Sequence, residues 1–134
     1  MADLPCPCGR PDARARPLPY AQCCGRYIDD FDATPAPDAE SLMRSRYTAF
    51  VRERADYLLA TWHASKRPSR VSFDAGARWL GLEVRAHQVL DDAHAEVEFV
   101  ARQRDATGRA SRLMERSRFV REGGRWYYVD GDLG

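Results

Sequence analysis

The residues best suited to chemistry in this 134-residue chain are its four cysteines, all within the first 24 positions, as Cys6-Pro7-Cys8-Gly9 and Gln22-Cys23-Cys24-Gly25. Two close pairs of thiolates joined by a loop can surround one ion. Four of them complete the tetrahedral sulfur shell of structural zinc, with Zn–S distances of about 2.3 Å. The competing reading is a set of free or oxidised thiols, in which a disulfide between the adjacent Cys23 and Cys24 would be strained. Ligand softness favours zinc. Because protein fills all four positions, no place remains for a catalytic water, so the expected zinc is structural and supplies folding energy to a segment without a core of its own.

The cysteine segment, 1–28, also holds Pro5, Pro7, Pro11, Pro17 and Pro19 with Gly9 and Gly25, a composition suited to tight loops rather than a long helix. A short helix is expected to begin near Tyr20 and carry Cys23 and Cys24. Residues 29–38, with four aspartates and two prolines, read as a linker ending in Asp38 as a helix N-cap.

The third part, 39–134, has no thiol. From Ala39 to about Arg52, Leu42, Met43, Tyr47, Phe50 and Val51 recur at helical spacing, which places them on one stripe. Arg46 falls inside that apolar arc, while Thr48 and Arg52 fall opposite. A second helix is expected from Ala55 to about Trp62, then a loop, with a turn or helical piece at Phe73 to Ala77.

From Trp79 the period changes to that of strands. Leu80, Leu82 and Val84 alternate with polar or small neighbours, and Val97, Phe99 and Ala101 do the same after a turn at Asp91-Asp92-Ala93. A third strand runs from about Ser111 to Glu122. Gly123-Gly124 is a two-residue hairpin signal, since primed turns need positive φ. It sets Glu122 opposite Arg125, Arg121 opposite Trp126, Phe119 opposite Tyr128, Arg118 opposite Val129 and Ser117 opposite Asp130. Opposite charges would then pair at Glu122 and Arg125, and Arg121 would lie over Trp126. The expected fold is α+β: helices packed on one face of a curved four-stranded antiparallel sheet, with a partner subunit or the cysteine knuckle on the other face.

Such a cone leaves a pocket at its mouth, and Arg46, His63, Glu115, Ser117 and Asp130 are the polar residues expected to point there. Arg46 could clamp an anion with its guanidinium fork, or form a structural ion pair with Glu115 or Asp130; the ion pair is favoured. His63 could act as a base near neutral pH or cap the helix before it. His87 and His94 read as solvated, Arg116 and Arg118 as a salt-bridged strand face, and Trp62, Trp79, Trp126, Tyr127 and Tyr128 as core or interface rather than pocket lining.

Lysine and arginine number 21 against 20 acidic residues, so the basic excess of a phosphate-tracking protein is missing and nucleic-acid binding is disfavoured. No leader pattern or apolar stretch of about 20 residues is present, which points to a cytoplasmic protein whose clustered thiols are metal ligands.

These residues resemble the YchJ-like family of small bacterial proteins, in which a SEC-C motif precedes a nuclear-transport-factor-2-like domain. The resemblance runs from Cys6 to Gly131 through the cysteine pairs, Leu42 to Phe50, Ala55-Asp56-Tyr57-Leu58, Thr61-Trp62-His63, Trp79-Leu80-Gly81-Leu82, Glu115 to Phe119 and Trp126 to Gly131. The chain departs from the SEC-C pattern in the 14 residues from Gly9 to Gln22, a longer spacer rich in arginine and proline. The resemblance implies a cone-shaped fold and a bound metal, with no settled activity.

It also implies a first functional expectation. SEC-C motifs look like docking elements for protein partners, so the chain is read as a zinc-binding interaction or adaptor module contacting a protein through the knuckle, with Arg10, Arg14, Arg16 and Arg26 as contact charge and a homodimer through the sheet. The second expectation is a small-ligand binder or enzyme using the cone pocket. A deep open cavity would favour the second reading, and aromatic side chains filling the cone would disfavour it.

Overall fold

A computed structural model describes residues 4–134. The cysteine segment folds as a narrow hairpin of prolines. Pro5 bridges Pro19 and Pro11 bridges Pro17 in antiparallel fashion, and the Cys6 amide donates to the Leu18 carbonyl at 2.8 Å. Proline has no amide to give, so donors come from Cys6, Leu18 and Tyr20 instead.

The single helix expected from Tyr20 is broken at the cysteines. A 3-10 turn spans Tyr20–Gln22, and helix α1 spans Gly25–Ile28. Between them Cys23 takes φ −127° and ψ −116°. Neighbours on a continuous helix point about 100° apart, so two adjacent thiols reach one centre only if the backbone breaks between its turns. Gly25 permits this fold-back, because a Cβ there would meet the Tyr20 carbonyl oxygen at 2.7 Å.

Helix α2, Ala39–Val51, starts where expected, with the Ser41 amide donating to Asp38 Oδ1 at 2.7 Å. Its burial differs from the one-stripe expectation. Thr48 has no exposed surface and Arg46 only 5%, although they sit on different sides of the helix. The cause is the knuckle, which packs on the back of α2. Cys6 Sγ lies 3.6 Å from Thr48 Oγ1, Arg10 Nη1 donates to Ser41 Oγ at 2.9 Å, and Arg44 Nη1 donates to the Cys8 carbonyl at 3.1 Å. The knuckle therefore covers the helix layer rather than the far face of the sheet. Arg52 stays exposed, its guanidinium 4.2 Å from the Tyr20 ring centre.

Helix α3, Ala55–Ala60, is shorter than expected. The chain leaves it to run beside the sheet: Tyr128 donates its amide to the Thr61 carbonyl at 2.8 Å, and His63 donates to the Tyr128 carbonyl at 2.7 Å. Residues 73–77 form a turn without a helix.

Strands β1 (Arg78–Asp91), β2 (His94–Arg104), β3 (Ala110–Glu122) and β4 (Arg125–Leu133) form an antiparallel meander in that order. Gly123 and Gly124 have φ of 58° and 80°, the primed turn expected. The register holds from Glu122↔Arg125 to Phe119↔Tyr128, then a bulge shifts it to Arg118↔Asp130 and Ser117↔Gly131. Three more irregularities in β1 add curvature, which makes the sheet concave.

The pairs expected at the hairpin are replaced by others. Glu122 bonds His63 at 2.9 Å, while Arg125 lies 4.1 Å from the Phe31 ring centre and donates to the Phe31 carbonyl. Arg121 makes no cation–π contact among the described residues. The core lies between the concave face, with Val97, Phe99 and Phe119, and Leu42, Met43 and Tyr47 of α2. The outer face carries Arg116 with Glu96, and Arg118 with Asp130 and Asp132, the salt-bridged strip expected of it. No helix is long and apolar enough to cross a membrane.

Asp38→Ala removes the side-chain acceptor that caps the helix both layers grip. Urea unfolding should show a loss of about 1 kcal/mol with an unchanged m-value.

Candidate metal centre and cone pocket

Cys6, Cys8, Cys23 and Cys24 are all free and all buried, and their sulfurs lie within 4.8 Å of one another. The Cys8 and Cys23 sulfurs are 3.6 Å apart, far beyond a disulfide bond. That separation is close to the edge of about 3.8 Å that a ZnS4 tetrahedron with bonds of about 2.3 Å requires. The donor set therefore fits a metal ion. Hydrogen bonds from Cys23, Cys24 and Cys8 hold the Cys6 thiol well below its usual range, and hydrogen bonding from Cys23 to Cys24 pushes the latter up. Four buried thiols in contact cannot all ionise unaided, and a divalent cation would permit it.

The second site is a cavity of about 290 Å³ between α2 and the concave face. Its walls are chiefly apolar, with Met43, Phe50, Trp79, Phe99, Leu113 and Phe119. Arg46, Trp62, Glu115, Ser117 and Tyr128 complete the lining. Aromatic side chains thus line the cone without filling it: Trp62, Trp79 and Tyr128 border the cavity, and Trp79 and Tyr128 also pack against the core as expected.

Arg46 does not form the favoured ion pair. Its Nη1 donates to the Leu58 carbonyl at 2.8 Å and to Thr61 Oγ1 at 2.7 Å, and its guanidinium carbon lies 4.6 Å from the Tyr128 ring centre and 5.0 Å from that of Trp62. No carboxylate pairs with it among the described residues. Burial lowers its pKa to about 10, so it remains charged at neutral pH. Glu115 Oε2 accepts from Ser117 Oγ and, at 3.1 Å, from Tyr128 OH, and burial together with the Glu115 charge pushes the Tyr128 phenol up.

Of the five residues expected at the mouth, the cavity brings together Arg46, Glu115 and Ser117. His63 and Asp130 lie elsewhere, on a shallow outer recess they share with Arg118 and Glu122. The β-bulge turns Asp130 outward to Arg118 at 2.6 Å. His63 does not cap α3; its ring bonds Ser65 at 2.7 Å and Glu122. His94 bonds Asp91 at an exposed turn, whereas His87 is partly buried, with Nδ1 3.8 Å from Glu40 and Nε2 without a partner. Thr61 was not expected at the site, because nothing in its local pattern marks it as the acceptor of a guanidinium.

Helices packed into a concave antiparallel sheet, with a four-cysteine knuckle on the back of the main helix, define a nuclear-transport-factor-2-like cone joined to a SEC-C-type motif. The chain belongs to the YchJ-like family: the profile described as YchJ, middle NTF2-like domain, matches residues 38–131. It is similar to a UPF0225 protein of Polaromonas sp., with 73% identity over 127 residues, 95% of this chain and 91% of the relative. The crystal structure of a SEC-C motif containing protein from Psychrobacter arcticus aligns with a TM-score of 0.77 and 32% identity, covering 97% of this chain and 82% of that one. The solution structure of a SEC-C motif containing protein from Rhodopseudomonas palustris aligns with a TM-score of 0.81 and 29% identity, covering 98% and 99%.

The seat of Glu115 can be tested at Gly131, where an added Cβ would meet Glu115 Oε2 at 2.5 Å. Gly131→Ala should displace the carboxylate, free two buried hydroxyls and cost about 1–3 kcal/mol in urea unfolding. In a Glu115→Ala background the same change should cost far less, which a double-mutant cycle measures.

Proposed function

We propose that this protein is a small-ligand binder whose cone is braced from behind by a structural zinc ion on Cys6, Cys8, Cys23 and Cys24. The observation that carries the reading is the cavity of about 290 Å³, apolar on most sides, with a charged guanidinium in its wall. Small-molecule sites combine apolar walls with a few convergent polar groups, and this one does so just below the usual size range of about 300–1,000 Å³, which suits a compact ligand.

The packing of the knuckle supports a bracing role for zinc. Cys6 and Cys8 lie against α2, all four cysteines belong to the buried core rather than to a projecting module, and two of the four arginines assigned to docking make bonds within the chain. Arg10 bonds Ser41, and Arg26 Nε donates to the Cys23 carbonyl at 3.0 Å. Docking of a protein partner would fall to the exposed Arg14 and Arg16 of the spacer loop and to Arg26. A cytoplasmic setting, which keeps the thiols reduced, is part of the proposal.

Elemental analysis of native protein should give one zinc per chain. Cys24→Ser should lose the metal and about 3 kcal/mol or more, about 10 °C in Tm. A screen of compact apolar fragments should raise the Tm of the wild type, and Ala101→Leu, which narrows the cavity, should abolish the response while retaining zinc. A metal-free native chain of full stability would refute the brace. Fragments that stabilise Ala101→Leu as well as the wild type would refute the pocket.

A further inference from the structure

Arg46 and Trp62 line the same cavity, and each holds a donor without an acceptor among the described residues. The Nη1 of Arg46 is engaged by Leu58 and Thr61, but its Nε and Nη2 make no hydrogen bond among the described residues. The Trp62 ring lies 5.0 Å from the guanidinium carbon, and its buried indole N–H has no acceptor. Donors set among hydrocarbon are costly to leave unpaired, and a guanidinium that feels the Glu115 charge without forming an ion pair with it keeps an incomplete partner set. The missing partner has a definite chemistry: it accepts hydrogen bonds, carries negative charge and fits among hydrocarbon walls.

Glu115 limits that charge. Its carboxylate lines the same cavity from β3, turned over Gly131 and held there by Ser117 and Tyr128. A like charge nearby disfavours a dianion, so a singly charged head group is selected. A carboxylate matches a guanidinium fork with its two coplanar oxygens.

We propose that the cone binds a monocarboxylic acid with a compact apolar body, its carboxylate received by Nε and Nη2 of Arg46 beside the Trp62 ring and its hydrocarbon by Met43, Phe99 and Phe119. The proposal rests on the ligand-binding reading above and names its ligand class.

The test uses the full zinc-loaded chain with three probes of one shape: 3-phenylpropanoate, its amide and the corresponding alcohol. Titration calorimetry should show the acid binding about tenfold more tightly than either neutral probe, as a charge-assisted contact predicts. The Trp62 indole resonance, assigned with Trp62→Phe, should move on adding the acid. Arg46→Gln should bring the acid level with the amide. If that variant does not fold, the acid-to-amide ratio in the wild type and in Trp62→Phe decides the matter. Equal binding of acid and amide would overturn the carboxylate clamp and leave a ligand-binding cone. Failure of all three probes, with no fragment stabilising the wild type, would overturn the ligand-binding reading along with the clamp.

Discussion

Burial of α2 from both sides is the constraint on which this structure turns. A surface helix hides one stripe, but this one hides Ser41, Ser45, Arg46 and Thr48 as well as its apolar residues. Each buried hydroxyl then needs a partner. Ser45 donates to the Leu42 carbonyl and meets Tyr57 OH at 2.7 Å, Ser41 accepts from Arg10, and Thr48 meets the Cys6 sulfur. The knuckle is consequently part of the domain's interior. Thr48 touches it and Arg46, two residues earlier, faces the cavity, so one rigid helix joins the cysteine cluster to the pocket.

That arrangement also explains the charges around the sulfurs. A divalent ion held by four thiolates keeps a net negative charge, which needs neighbours of the opposite sign or hydrogen-bond donors. Arg44 approaches through the Cys8 carbonyl and is fixed by Glu40 at 2.8 Å, and Arg10 reaches Ser41 on the same side. The long spacer supplies Arg10, so the part of the knuckle that departs most from the SEC-C pattern also fastens it to α2. Exposed ion pairs such as Arg16 with Asp12 add little beside these half-buried ones.

Much of this was legible in the chain. The strand alternation, the glycine hairpin, the Asp38 cap and the pairing of the cysteines into one cluster all rest on local chemistry, and local chemistry is what a sequence states directly. The errors share a cause in tertiary packing. A helical wheel assigns Thr48 to water because it cannot know that a second layer lies behind the helix. The bulge at Arg118 moved Asp130 from the concave face to the outer one, since a shift of one residue exchanges the faces of a strand. His63 was claimed by Glu122, 59 residues away, a pairing visible only once β3 and the α3 exit are side by side.

Arg46 was flagged correctly and paired wrongly, and the difference matters physically. The Coulomb gain of an ion pair with Glu115 would offset part of the penalty of several kcal/mol for dehydrating a guanidinium. The chain instead divides that compensation among weaker groups: the Leu58 carbonyl, the Thr61 hydroxyl and the two ring faces of Trp62 and Tyr128, each face contributing about 2 kcal/mol when desolvated. Those partners fix the plane of the guanidinium without neutralising it. Glu115, meanwhile, is kept apart by two hydroxyl donors and by the bare backbone of Gly131. A fold that needed only stability would let these charges meet. Holding them separately, across an apolar cavity, preserves a charged fork in dry surroundings, where its attraction for an opposite charge is strongest.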